Sequence, residues 1–176
     1  MWNTQGRFQG RRDSPLTARG AQQADRLGLR LAAHLAGRWR ELEGHVSPLG
    51  RAKATAARIA RYVPLAFREE RRLMEVTVGA WDGMTHDEID MEYPGALADC
   101  EAHDWFFRSP DGETFEAACD RVRAWLSSIS SPTVAITHGL TSRLIRGLYL
   151  GLSRPDMLRL AVPQDGYVVL RDGQAL

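Results

Sequence analysis

The stretch Thr133-Val134-Ala135-Ile136-Thr137 holds only apolar or β-branched residues and lies between two helical patterns. Such a run reads as a strand buried on both faces, the situation of a parallel strand with helices above and below it. The helix before it spans Thr114–Ile129, with Phe115, Ala118, Cys119, Val122, Trp125, Leu126 and Ile129 on one face. Glu113 and Glu116 sit near its start, where acidic side chains suit the helix dipole. Ser130 to Pro132 ends it. After the strand come His138-Gly139 and a further helix bearing Leu144, Ile145 and Leu148. Helix, strand, His-Gly, helix is an α/β unit with a polar residue at the carboxyl end of a strand, the edge where open α/β sheets bind ligands. The fold class is therefore read as α/β, with a site near His138.

The remaining pattern fits around that unit. Ala21, Ala24, Leu27, Leu31 and Leu35 predict a helix over Thr17–Leu35, with Thr17 as N-cap. Ser47 is placed to cap a second helix whose first position takes Pro48 and whose inner face is Leu49, Ala52, Ala56 and Ile59. Leu65–Phe67 reads as a short strand and Tyr167–Leu170 as a final one, followed by an Asp172-Gly173 turn. Residues 80–112, with Trp81, Pro94, Trp105 and Phe106, read as short helices and loops covering something. No repeat or linker divides the 176 residues, so residues 1–176 are read as one domain.

A net charge of +1, from 23 basic against 22 acidic residues, argues against a nucleic-acid arm or a polybasic membrane patch. Only Lys53 among the basic residues is a lysine, so each arginine is judged by its setting. Two cysteines, Cys100 and Cys119, are too few for a disulfide scaffold and suit a reducing cytoplasm. No signal peptide is expected from the polar N-terminus, and the longest uncharged run, Ala124–Ser142, is too interrupted to span a membrane. His34, His45, His86 and His103 are scattered, so no metal site is expected. No nucleotide-binding glycine loop and no Gly-x-Ser-x-Gly elbow occur, and no cofactor is expected.

Three residues stand out for chemistry. His138 taken alone is as well explained as a satisfied buried histidine. The apolar strand before it, the adjacent Gly139 and the free N–H groups of the next helix turn the reading toward an anion pocket, which a charged imidazole would complement. Arg51, in the first turn of the Ser47-capped helix, is either a solvated surface arginine or a fork for that anion. Glu75, ahead of Gly79-Ala80-Trp81-Asp82-Gly83, is either a surface partner of Arg71 or Arg72 or a desolvated carboxyl held protonated as a general acid.

Together the segments resemble the histidine phosphatase superfamily, also called the phosphoglycerate mutase-like family. The segments are Trp2–Gly10, Asp13–Gly20 with Gln22-Gln23-Ala24, Ser47–Ala52 with Thr55-Ala56, and Leu73-Met74-Glu75 with Gly79 and Trp81-Asp82-Gly83. Gly112-Glu113-Thr114 with Arg121, and Thr137-His138-Gly139, complete an ordered set from Trp2 to about Leu170. The resemblance implies a three-layer α/β/α sandwich with a mostly parallel sheet and a cap, roughly residues 84–112, over the site. It implies that His138 steadies the transferred phosphoryl group, Arg51 binds its oxygens, and Glu75 protonates the leaving alcohol and then activates water. Asn3, Gln9, Gly10 and Gly139 match positions near the phosphate. Arg7 matches a family arginine that is structural as readily as ligand-binding.

The family's first strand and its Arg-His-Gly-Glu, whose histidine is the nucleophile, have no counterpart before Trp2. The expectation is therefore a start placed too far downstream or a truncation, with neighbouring strands left unpaired. An unpaired edge favours self-association, while the oligomeric state stays open. The implied activity is a phosphatase on small phosphomonoesters through a phosphohistidine, with a phosphorylated substrate or inorganic phosphate as partner. Val76-Thr77-Val78 stands where a mutase carries an arginine and a tyrosine close behind it, which favours hydrolysis over mutase transfer. The alternative of another class is a phosphate-binding pseudoenzyme or inactive fragment.

Overall fold

The computed structural model describes residues 5–99, 103–163 and 165–176. Helix α1 (Ala18–Leu35) starts where Thr17 accepts a bond from the Gly20 N–H and turns Ala24, Gly28, Leu31 and Leu35 inward. Strand β1 (Glu43–Val46) leads into α2 (Gly50–Ile59), β2 (Phe67–Glu69) and α3 (His86–Glu92). Then follow α4 (Phe115–Leu126), β3 (Thr133–Ile136), α5 (Gly139–Leu150), α6 (Arg154–Arg159) and a terminal hairpin of β4 (Leu170–Arg171) and β5 (Gln174–Ala175). Among the described residues the main sheet is parallel with order β2-β1-β3, so β3 pairs on one side only.

Alternation along the strands makes the three layers. Val46, Phe67 and Ile136 pack against Ala52 and Ala56 of α2, and Val134 and Ile136 also meet the cluster around Leu31, Leu35 and Ile59. Ala135 points the other way, into the core built by α4, α5 and α6 around Val122, Leu140, Leu144 and Leu158. His45 shares that side: it is 1% exposed, and the Trp125 indole N–H donates to its Nδ1 at 3.1 Å. Helices α1 and α2 approach closely because residue 28 is glycine; a Cβ there would run into the Tyr62 ring and lie 3.2 Å from the Ile59 Cα.

The architecture agrees with the α/β sandwich read from the sequence, and several local readings change. Ser47 does not cap the second helix, which begins at Gly50 with Leu49 at its N-cap. The short strand lies at Phe67–Glu69 rather than Leu65–Phe67, because the Glu70 N–H continues the ladder to the Val46 carbonyl. Tyr167–Val169 precede the terminal hairpin, and Asp172-Gly173, both at positive φ, make its tight turn. Strand β1 and helix α6 carry no matching expectation from the sequence.

The segment between β2 and Glu75 is tied down by Glu70. Its carboxylate accepts from the Arg72 backbone N–H, Nε and Nη2, while Arg72 Nη1 reaches the Ala124 carbonyl on α4. The Arg72 side chain, opposing burial, holds the Glu70 carboxyl down at about 2, against an ordinary 4.5. A depressed carboxyl contributes stability above its unfolded value and loses it as the pH falls through the folded one. We expect urea unfolding to lose about 2 kcal/mol between pH 4.5 and 2 on this account, discounted for the half-exposed arginine. Glu70→Gln should flatten that interval; parallel curves for the two proteins would refute the assignment.

Candidate active site

Two strand ends build the floor of the site. Ser47 follows β1, fully buried, with its N–H on the Ile136 carbonyl, and His138 follows β3 as the N-cap residue of α5. The His138 Nε2 and Ser47 Oγ lie 2.7 Å apart, and Oγ also accepts the Leu49 N–H at 3.3 Å. With that lone pair taken, the hydroxyl proton is free to go to Nε2, which suits an uncharged imidazole. Burial, then the charges of Arg51 and Arg121, push His138 from 6.5 down to about 3. The site therefore holds a neutral imidazole where the sequence suggested a charged one, because the ring is buried and, secondly, because positive charge surrounds it.

Arg51 is the main source of that charge. Its backbone N–H donates to Asp13 Oδ1 at 3.2 Å, in the first turn of α2, so an aspartate from another segment does the capping expected of Ser47. Its guanidinium reaches the Arg12 carbonyl at 2.9 Å, Asp13 Oδ1 at 3.3 Å and the Gly10 carbonyl at 2.9 Å. Among the described residues three of the five guanidinium N–H groups are thus occupied, and two remain for a ligand. Gly10 in turn donates its N–H to Asp82 Oδ1 at 2.8 Å. A Cβ at residue 10 would collide with that carboxylate and lie 2.8 Å from the Val78 nitrogen, so only glycine fits. Gln9 Nε2 donates to Ser14 Oγ at 2.5 Å.

Glu75 occupies the amino end of α5 and is 7% exposed. Its Oε2 accepts the Leu140 N–H at 3.2 Å. Its Oε1 accepts the Thr141 N–H at 2.9 Å, the Thr141 hydroxyl at 3.0 Å and its own neighbour Val76 N–H at 3.1 Å. The pairing with Arg71 or Arg72 that the sequence left open does not occur; Arg72 is spent on Glu70. A Cβ on Gly139 would sit 4.0 Å from Glu75 Oε2, so this glycine leaves the approach to that oxygen clear.

Behind Glu75, Arg121 of α4 grips Glu113 with Nε at 2.7 Å and Nη2 at 2.8 Å. Its Nη1 holds the carbonyls of Arg72 at 2.6 Å and Met74 at 3.0 Å. Arg7 lies apart from this group: it bonds Glu88 through both terminal nitrogens and the Gly83 carbonyl, which makes it a structural tie to α3.

The structure therefore connects Gly10 to Arg51 by a hydrogen bond, Arg51 to His138 by charge, and Gly139 to Glu75 by proximity, with Gln9 next to Gly10 in the chain. Asn3 lies outside the described residues. Ser47, Asp13 and Thr141 went unrecognised as site residues. The first two read as a helix cap and turn punctuation; a threonine three residues after His138, in the first turn of a helix, was the signal for the third. Free guanidinium N–H groups, an imidazole able to gain a proton, and a carboxyl on a helix end are an arrangement that binds an oxyanion and moves a proton beside it.

A profile of the histidine phosphatase superfamily (branch 1) matches residues 1–173. The chain is 33% identical over 161 residues to a probable phosphoglycerate mutase of Salmonella arizonae, an alignment covering 86% of this chain and 71% of that one. Among solved structures it resembles YhfR of Bacillus stearothermophilus, with a TM-score of 0.79, 28% identity, and coverage of 99% and 88% of the two chains. A mycobacterial glucosyl-3-phosphoglycerate phosphatase, solved with inorganic phosphate, aligns with a TM-score of 0.70, 29% identity, and coverage of 88% and 78%. Sequence, fold and the order of the site segments agree, and the chain belongs to the histidine phosphatase superfamily.

Proposed function

We propose that the site binds and hydrolyses small phosphomonoesters. The reading rests on one observation: Arg51, His138 and the Glu75 carboxyl converge where β1 and β3 end and α5 begins. In it, the free N–H groups of Arg51 and the His138 ring take phosphoryl oxygens, Gln9, Gly10 and Gly139 line the approach, and Glu75 serves the leaving oxygen. Residues 84–112 act as the cap. Hydrolysis is preferred to mutase transfer because Val76 and Val78, after Glu75, are wholly buried and offer nothing to a substrate carboxylate.

A second reading, phosphate binding without turnover, is favoured by the histidine inventory. Among the described residues His45 is committed to Trp125, and His34, His86 and His103 belong to other aromatic contacts. Among the described residues His138 is thus the one histidine at the site. Turnover of p-nitrophenyl phosphate that disappears in His138→Ala and Glu75→Gln supports the phosphatase reading. Saturable orthophosphate binding without turnover supports the second, and a chain that shows neither turnover nor binding overturns both.

Either reading makes anion binding proton-linked. Burial and the nearby guanidinium groups hold His138 down at about 3, and a dianion beside it favours the charged ring. Binding therefore takes up a proton, and affinity rises as the pH falls. Sulfate, which does not titrate in the range, should bind more tightly at pH 6 than at pH 8, with proton uptake measured by calorimetry in two buffers. Equal slopes for the parent and His138→Gln would refute the linkage.

A further inference from the structure

We propose that Thr141 is the positioning residue for Glu75, anchoring its Oε1 in both protonation states so that Oε2 stays turned toward the ligand. The inference rests on the phosphomonoester reading of the site. Thr141 is fully buried in the first turn of α5 and supplies two of the three donors on Oε1, its backbone N–H and its hydroxyl. Oε2 takes one bond, from the Leu140 N–H, and faces the space beside Gly139. The two carboxyl oxygens are therefore unequal: one is fixed to the helix and one is available.

The hydroxyl has a second partner, the Met74 carbonyl at 2.8 Å, and only one proton to give. When Glu75 is ionised that proton goes to Oε1, and the Met74 carbonyl keeps its bond from Arg121 Nη1. When Glu75 is protonated the proton lies on Oε2, on the ligand side, and Oε1, now the carbonyl oxygen, still accepts from the Thr141 N–H and hydroxyl. The same two donors therefore hold Oε1 in both charge states without moving the carboxyl. A group that must alternately give and take a proton needs such a partner. The other charged or titratable groups around Glu75 are Arg143 on α5, within reach of its charge, Arg121 on α4, His138, and Arg11, which bonds the Glu75 carbonyl at 3.4 Å. Among the described residues none of them donates a hydrogen bond to Oε1 or Oε2, so the orientation falls to α5 and the neighbouring Val76 N–H.

The test uses the whole chain and orthophosphate as probe, titrated by calorimetry from pH 5.5 to 8. Thr141→Val and Thr141→Ala remove the hydroxyl, Thr141→Ser keeps it, and each is also made in a Glu75→Gln background. A carboxylate released from the helix swings toward the bound anion and repels it, so Val and Ala are expected to weaken binding about fivefold at pH 8, where orthophosphate is largely the dianion, and less at pH 5.5, where it is the monoanion. Ser stays within about twofold of the parent. In the Gln background the effect of Val or Ala vanishes, because the repelling charge is gone. Unchanged affinity in both Val and Ala, or a loss that persists undiminished in the Gln background, overturns the proposal. A parent that binds no phosphate overturns the phosphomonoester reading and this inference with it, which separates the two failures.

Discussion

Replacing Arg121 by methionine is expected to destabilise the fold by about 3–5 kcal/mol, the range for breaking a buried pair from one side. Arg121 and Glu113 have side chains only 14% and 10% exposed and meet through two parallel bonds. Removing the guanidinium leaves Glu113 only its 3.4 Å contact with the more exposed Arg11 and takes a donor from the carbonyls of Arg72 and Met74, in the segment carrying Glu75. For a chain of this size the loss corresponds to a fall in melting temperature on the order of 10 °C. Lysine keeps the charge but not the fork, so Arg121→Lys should recover less than half of the loss. Denaturant unfolding of the three proteins decides it. A methionine variant within 1 kcal/mol of the parent would mean that the pair only breaks even with its desolvation.

Arg51→Ala is expected to weaken orthophosphate binding by about 100-fold, close to 3 kcal/mol for a lost charge-assisted fork. Part of the loss comes from the loop, since the same guanidinium holds the carbonyls of Gly10 and Arg12 in place. Asp13 competes with the ligand for Arg51, so Asp13→Asn should act in the opposite sense and tighten binding about threefold. Titration of both variants separates the two contributions. If Arg51→Ala bound phosphate like the parent, the anion would have to sit elsewhere, and the convergence at the strand ends would lose its meaning.

The parts legible in the sequence are those where one physical signal dominates. Strand β3 has apolar or β-branched residues throughout, α4 and α5 have clean helical periodicity, and His138-Gly139 marks the ligand edge between them. Strand β1 was illegible because Glu43-Gly44-His45-Val46 looks like a polar turn. It is buried only because His45 finds Trp125 on α4, 80 positions away, and because Gly44 has no side chain to meet the Phe67 ring, 3.0 Å from where its Cβ would stand. The same limit applies at the site. Arg51 and Glu75 could be singled out one by one, yet the capping of α2 by Asp13 and the anchoring of Glu75 by Thr141 link segments 38 and 66 positions apart. Local spacing carries no trace of such pairs.

The pairing of β1 with β3, with Glu43 opposite Thr133, also sets when the site can come into being during folding. A parallel contact closing a loop of about 90 residues must be formed before it gains anything, so it belongs to the late and slow part of assembly. Ser47 and His138 meet only when that loop closes. Refolding followed by phosphate recovery should therefore lag behind the return of helical signal, and a chain emerging from the ribosome has no competent pocket until the segment through α5 has been made.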